Sequence, residues 1–269
     1  MSDYQTSPIG IFDSGVGGLT VAAALRHLLP HERLVYLADA ARLPYGTKSP
    51  QTVTRYALQA AKYLQTHNIK LLVIACNTAS AHAATAVRKA LSPLPVLGVV
   101  EAGAKAAADI TKTGGIVVAA TEGTCLSGAF PKLIPQAHVT QVPCPLFVAL
   151  AEEGLGDSPI TDAMVREYLG ALFSPQSDND TLLLGCTHFP LLTTSLRRVI
   201  GSAPHIVDCA EAMARDVAQE LLVHNLQAPK TQVGELRLIA TDAQARLSKL
   251  AGKLMPDMGA SPTVELIDL

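Results

Sequence analysis

The chain has 269 residues, enough for one large domain or two modest domains, each with its own core. Hydrophobic residues make up 49% of it and charged residues only 16%, which excludes a disordered protein. The formal net charge of −2 offers no basic face for nucleic acid or anionic lipid, so we expect neither as a partner.

The sequence also argues against export and membrane insertion. No apolar run approaches the roughly 18 residues that a membrane span needs. The first basic residue is Arg26, so the positive region of a signal peptide is missing. The five cysteines (76, 125, 144, 186 and 209) are odd in number and never closer than 19 positions, which fits neither a disulfide framework nor a zinc pattern. We therefore expect a cytoplasmic protein with reduced thiols and no metal.

Short apolar runs alternate with helical patterns along the chain. The runs predict strands at 9–12, 34–37, 71–75, 96–99, 116–119, 181–184, 206–208 and 236–240. The clearest helix follows Ser49 and Pro50, a capping residue and a proline suited to the first helical position. Further helices are predicted at about 18–29, 78–91, 101–110, 160–173, 190–200, 210–225 and 242–252. This alternation predicts a doubly wound α/β architecture with parallel sheets.

One segment of the sequence is echoed later in the chain. The run from Leu71 to Thr78 resembles the run from Thr181 to His188, and their cysteines lie 110 residues apart. Each run is a buried strand followed by a cysteine and two polar residues, at the strand end where α/β sheets bind ligands. We therefore predict two similar α/β domains, the first from 1–98 and 208–269, the second from 99–207.

A glycine-rich corner follows the first strand. Gly15, Gly17 and Gly18 allow a tight turn whose backbone N–H groups favour an anion, either phosphate or carboxylate. The pattern is not the dinucleotide fingerprint, because position 20 is Thr20. Close packing of helix on sheet would explain the glycines equally well, but not the preceding Asp13 and Ser14.

The cysteines divide into two groups. Three of them, Cys125, Cys144 and Cys209, are expected to be buried small hydrophobic residues. Cys76 and Cys186 each stand where a strand ends and a helix is predicted to begin, so the helix N-terminus should lower the pKa of their thiols.

Other polar residues lie near these strand ends. His188 could exchange a proton with the Cys186 thiol. Thr121 and Thr124 could add hydroxyl groups at the same rim. On sequence alone, Pro44-Tyr45-Gly46 is typical of a turn, and Glu152-Glu153 of a solvated helix end.

Four motifs together resemble those of the glutamate racemases. They are Phe12 to Gly18, Tyr36 to Asp39 followed by Pro44-Tyr45-Gly46, Ala75 to Ser80, and Gly185 to His188, in the family's order. The resemblance covers about residue 8 to at least residue 210. It implies a cofactor-independent enzyme that interconverts L- and D-glutamate and supplies D-glutamate for peptidoglycan synthesis. It also implies an active site in the cleft between two α/β domains, and a homodimer.

The resemblance assigns roles residue by residue. Cys76 would take the α-proton from D-glutamate and Cys186 from L-glutamate, assisted by Asp13 and His188 respectively. A glutamate of the second domain also assists in the family, and both Glu152 and Glu153 fit that position. The implied substrate contacts are Asp13, Ser14, Tyr45, Gly46, Asn77, Thr78, Thr187 and His188.

Other interpretations stay open on the sequence alone. Cys186 and His188 could act as nucleophile and base in a thiol hydrolase or transferase, which would leave Cys76 unexplained. A hinged pair of α/β domains could also bind a small carboxylate without chemistry. Within the superfamily, an enzyme acting on aspartate is the nearest rival.

Overall fold

The strands of the chain alternate with helices, as the sequence predicts. The computed structural model describes residues 2–269, with side chains from Tyr4 onward. The strands are β1 (Ile9–Asp13), β2 (Leu34–Ala38), β3 (Leu71–Ile74), β4 (Val96–Gly98), β5 (Gly115–Ala120), β6 (His138–Pro143), β7 (Asn179–Gly185), β8 (His205–Asp208), β9 (Leu236–Ala240) and β10 (Val264–Leu266). The helices are α1 (Ser2–Gln5), α2 (Leu19–Leu28), α3 (Pro50–Gln65), α4 (Asn77–Leu91), α5 (Val99–Ile110), α6 (Glu122–Ser127), α7 (Ala129–Leu133), α8 (Pro145–Glu152), α9 (Pro159–Leu169), α10 (Thr193–Ile200), α11 (Cys209–Val223) and α12 (Gln244–Leu254).

These strands form two parallel sheets. The larger sheet has the order β10-β9-β2-β1-β3-β4 and the smaller sheet has the order β6-β5-β7-β8. The order β2-β1-β3-β4 in the first matches β6-β5-β7-β8 in the second, strand for strand. The echo in the sequence is therefore a repeated topology. We call the parts built on the larger and smaller sheets the first and second units, and the predicted fold class is confirmed.

Burial explains which strands the sequence predicts well. Every residue of β1, β2, β3 and β5 is buried, which is typical of parallel strands covered on both faces. The sequence does not predict β6 and β10. Both lie at a sheet edge, where none of their residues is fully buried, so they lack a continuous apolar run.

The predicted helix after Ser49 is confirmed. The Ser49 hydroxyl accepts a hydrogen bond from the Thr52 backbone N–H at 3.3 Å, and Pro50 is the first helical residue. The residues of its apolar stripe that are fully buried against the larger sheet are Val53, Ala57, Ala60, Ala61 and Leu64.

A single hydrophobic cluster joins the two units. It contains residues of the larger sheet, such as Ile11, of the smaller sheet, such as Val118, and of the helices α2, α5 and α11 between them. The predicted boundaries at 98/99 and 207/208 fall inside this shared layer, and they stay a prediction.

Candidate active site

The carboxyl ends of the two sheets face each other. Chain order reverses between β1 and β3 in the first unit and between β5 and β7 in the second. Such reversal points form the ligand-binding crevices of α/β proteins. Cys76 follows β3 and caps α4, while Cys186 follows β7. The helix predicted directly after Cys186 begins instead with a short 3-10 turn, Phe189–Leu192, before α10.

Both cysteines line one small cavity between the units. Its volume is about 20 Å³, room for about one water molecule. The predicted site residues that line it are Ser14, Tyr45, Gly46, Cys76, Asn77, Thr78, Cys186, Thr187 and His188. Asp13 lies directly behind them, where the Thr187 hydroxyl reaches its carboxylate at 3.4 Å. The structure thus brings together all ten residues that the sequence singled out.

The Cys76 thiol lies in a buried, polar corner. Its sulfur is 3.5 Å from the Ser14 hydroxyl and accepts from the Ala79 backbone N–H at 3.4 Å. Burial, together with the nearby Asp13 carboxylate, raises the pKa of Cys76 to about 12. The predicted lowering of this pKa is therefore wrong for the closed cleft, because desolvation outweighs the helix N-terminus.

The glycine corner binds an anion that belongs to the chain itself. The Asp13 carboxylate, fully buried, accepts from the Gly18 backbone N–H at 2.8 Å. Its other oxygen, Oδ1, has no hydrogen-bond partner among the described residues. Burial raises the pKa of Asp13, and the nearby His188 opposes that rise. The glycines also serve close packing, since a Cβ on Gly17 would lie 2.6 Å from the Nδ1 atom of His188.

On the other side of the cavity, His188 lies between a thiol and a carboxylate. Its Nδ1 atom is 3.9 Å from the Cys186 sulfur, and its Nε2 atom is 3.2 Å from Oε1 of Glu152. Burial lowers the pKa of His188, but the hydrogen bonds to Cys186 and Glu152 raise it to about 10. Of the two candidate glutamates, Glu152 contacts His188, whereas Glu153 is exposed and contacts Arg246 at 3.6 Å.

Tyr45 lines the cavity, and its hydroxyl is held by a residue of the first unit. That hydroxyl donates to the buried carboxylate of Asp39, which also accepts from Arg42. Gly46 lies against the second unit, where a Cβ would come within 2.6 Å of Thr121. The Asp39 anchor could not be predicted from the turn-like sequence around Tyr45.

A cluster of hydroxyl groups joins the units at the cavity wall. Thr78 contacts Thr121 at 2.9 Å and Thr124 at 3.1 Å. Beside it, Asn77 accepts from the Cys209 thiol at 3.7 Å, so Cys209 is buried, as expected, but also lies behind the site. The Asn77 amide nitrogen finds no partner within the described part of the chain.

Two negative observations apply to residues 2–269. Among the side chains described, from Tyr4 to Leu269, no group of three or more His, Cys, Asp or Glu is arranged to hold a metal ion. Nor does any helix in this range have the length and apolar character needed to cross a membrane.

Comparison with known proteins places the chain in a family. The family model for Asp/Glu/Hydantoin racemases matches residues 19–217. A glutamate racemase of Geobacter metallireducens is 46% identical over 92% of each chain. Structures of two glutamate racemases superpose with a TM-score of 0.88 over 98% of each chain: that of Thermus thermophilus with beta-chloro-D-alanine (38% identical), and that of Francisella tularensis with D-glutamate (31%). The chain therefore belongs to the Asp/Glu/Hydantoin racemase family, and the resemblance seen in its motifs is confirmed.

Proposed function

We propose that this chain is a cofactor-independent glutamate racemase that moves the α-proton between Cys76 and Cys186. The named activity of the Geobacter metallireducens relative supports the substrate, as does the D-glutamate bound in the Francisella tularensis structure. The observation that carries the proposal is that both sulfurs line one cavity at the facing strand ends. Inversion at carbon without a cofactor is achieved most directly by an acid–base group on each face of the substrate.

The reaction needs one thiolate and one thiol. With D-glutamate, the Cys76 thiolate takes the α-proton, and the electron pair of the broken C–H bond stays on the substrate as a carbanion. The Cys186 thiol then donates its proton to the opposite face, giving L-glutamate and a Cys186 thiolate. The reverse direction begins from that state. The two sulfurs therefore exchange protonation states at each turnover, and no redox change occurs.

The two sulfurs have different neighbours, which favour different protonation states. Burial and the nearby Asp13 favour a protonated Cys76, since they raise its pKa to about 12. On the other side a protonated His188 can donate from Nδ1 to the Cys186 sulfur, 3.9 Å away. We therefore assign Asp13 as the helper of Cys76, and His188, held by Glu152, as the helper of Cys186.

The carbanion needs stabilisation away from water. The unpartnered Asn77 amide and the hydroxyls of Thr78 and Thr187 can donate to the substrate carboxylates. Substrate that displaces water from this narrow cavity would strengthen each of these interactions. Tyr45, Gly46 and Ser14 complete the proposed contacts.

The first experiment is a direct assay. Purified protein, dialysed and free of pyridoxal phosphate, should convert D-glutamate into L-glutamate, and in heavy water the product should carry deuterium at the α-carbon. Product without solvent label would contradict the two-thiol scheme. The same assay with D-aspartate tests the alternative that the enzyme acts on aspartate.

The second experiment tests the two sulfurs. Cys76→Ala and Cys186→Ala should each abolish racemisation, because each removes one of the two proton carriers. Cys125→Ala is the matched control, a buried thiol outside the cavity lining, and should leave the rate unchanged. Full activity of Cys186→Ala would reject the assignment, and a covalent adduct trapped on Cys186 would favour a thiol hydrolase or transferase. Glutamate binding without any racemisation would favour a binding module.

The biological role and assembly are part of the same proposal. The D-glutamate formed would supply peptidoglycan synthesis in the cytoplasm, so the gene should rescue a D-glutamate-requiring bacterium. A homodimer is proposed from the family resemblance alone, and sedimentation of the purified protein tests it.

A further inference from the structure

An ion pair links the two units beside the candidate active site. Arg246 lies in the first turn of α12, which packs against β10 and α2 of the first unit. Its Nη1 atom donates to Oε2 of Glu152 at 2.7 Å, and its Nη2 atom lies 3.6 Å from Glu153. Both glutamates lie at the C-terminal end of α8, in the second unit.

The carboxylate of Glu152 is also linked to Cys186, through His188. Arg246 holds one oxygen of Glu152, and the other oxygen is 3.2 Å from Nε2 of His188. The far nitrogen of that ring faces the Cys186 sulfur at 3.9 Å. Arg246 is about half exposed, whereas Glu152 is 11% and His188 3% exposed at the side chain. The chain of contacts therefore runs from the surface to the reacting sulfur.

The backbone turn before α12 sets the position of Arg246. Ala243 adopts a left-handed conformation (φ 55°), which is uncommon for a residue with a Cβ. Its carbonyl accepts from the Arg246 backbone N–H at 3.0 Å, and its own N–H donates to Asp242 at 2.6 Å. This turn starts the helix so that Arg246 points across the boundary between the units.

We infer that Arg246 is a positioning residue, which orients Glu152 and through it His188 beside Cys186 when the two units are closed. The inference rests on the proposed function. Because Arg246 and Glu152 come from different units, their contact depends on closure of the cleft. The arrangement of His188 is thereby completed by a side chain of the opposite unit.

Glu152 has several charged neighbours whose effects must be separated. Hydrogen bonding from His188 is the main cause that lowers the pKa of Glu152, and Arg246 lowers it further. The other charged groups that line the adjoining cavity, of about 730 Å³, are Glu153, Asp157, Lys249 and Lys253. Removing Arg246 should therefore raise the pKa of Glu152. In a plot of kcat/KM against pH, the fall in activity on the acid side (the acid limb) should then move to higher pH.

The experiment compares Arg246→Ala with the wild-type protein, using D- and L-glutamate. We expect kcat/KM to fall about tenfold, less than the ~100-fold that a 1 Å misplacement can cause, because Arg246 is half exposed and Glu152 still holds His188. The fall must be equal in both directions, since the enantiomers have equal free energy in water. Arg246→Lys should restore part of the loss and bring the acid limb back toward its wild-type position.

Arg237→Ala is the matched control. Arg237 is similarly exposed and pairs with Glu265, but both residues lie in the larger sheet. It should leave kcat/KM and the acid limb unchanged. In a Glu152→Gln background, Arg246→Ala should have little further effect, because its partner has lost its charge.

The inference would be overturned if Arg246→Ala kept the wild-type kcat/KM and acid limb. It would also be overturned if Arg246→Ala still caused a tenfold fall in the Glu152→Gln background. An equal fall in Arg237→Ala would also overturn it, because that would indicate a general effect of surface charge. A wild-type protein that does not racemise glutamate would instead overturn the proposed function on which the inference rests.

Discussion

Replacing Gly17 by alanine should damage the site without unfolding the protein. The added Cβ would lie 2.6 Å from Nδ1 of His188, 2.6 Å from the Thr187 hydroxyl and 2.8 Å from Cε1 of His188. These separations are about 1 Å shorter than favourable contacts. His188 is buried and held by Glu152, so it cannot swing into solvent. Either the ring moves away from Cys186, or the two units move apart.

Both responses misplace a group of the proposed reaction by about 1 Å. Such a shift can cost about 100-fold in rate, which is about 2.7 kcal/mol of transition-state stabilisation. Overpacking of the buried contact should also cost about 1–3 kcal/mol of stability, lowering Tm by a few degrees.

The assay follows the loss of optical activity from D- and L-glutamate, together with Tm. Gly170→Ala is the matched control, because Gly170 has helical dihedrals (φ −56°, ψ −43°) and a Cβ there would meet only the flexible Arg166 side chain. It should keep full activity and gain slight stability. Wild-type kcat/KM in Gly17→Ala would refute the close approach of Gly17 and His188.

Two further predictions concern stability. Lys70 and Glu32 form a buried ion pair at 2.6 Å, so Lys70→Met should cost about 3–5 kcal/mol by leaving a buried carboxylate without its cationic partner. Adding Glu32→Leu should recover only part of this loss, because the carbonyls of Gln5 and Leu226 and the N–H of Ala228 also lose a hydrogen-bond partner. Urea unfolding in which the single and double variants are equally stable would contradict this. The pKa of His188 is raised from 6.5 to about 10, so its charge stabilises the fold fully below pH 6.5 and this contribution is lost as pH rises through about 10. Glu152→Gln removes one cause of that rise and should move the alkaline loss of Tm to lower pH, and an unchanged alkaline limb would argue against the coupling.

Local sequence patterns predict the elements whose formation depends on residues that are neighbours in the sequence. Continuous apolar runs identified the buried strands, and Ser49 with Pro50 marked the start of α3. The edge strands β6 and β10 escaped prediction because one side of each is solvated and their residues are mixed in polarity. The repeated topology was visible in the sequence because the two strand–cysteine runs are themselves similar.

The site was predictable where its residues lie in short motifs, and not where contacts are distant in sequence. Arg246 contacts Glu152 across 94 residues, and nothing near Arg246 in the sequence signals this role. The pKa of Cys76 was mispredicted for a related reason. The helix that begins after Cys76 can be recognised from neighbouring residues. The burial of Cys76, which raises its pKa, depends on residues that are distant in the sequence.

The small volume between the two cysteines has a consequence for ligand design. A space of about 20 Å³ cannot hold an amino acid, so the cavity has to widen before a ligand of that size binds. The apparent dissociation constant is then the intrinsic one divided by the fraction of molecules with a widened cavity. Inhibitors shaped to the narrow cavity would be too small to bind well, whereas a compound that fits a widened cavity would favour that wider state.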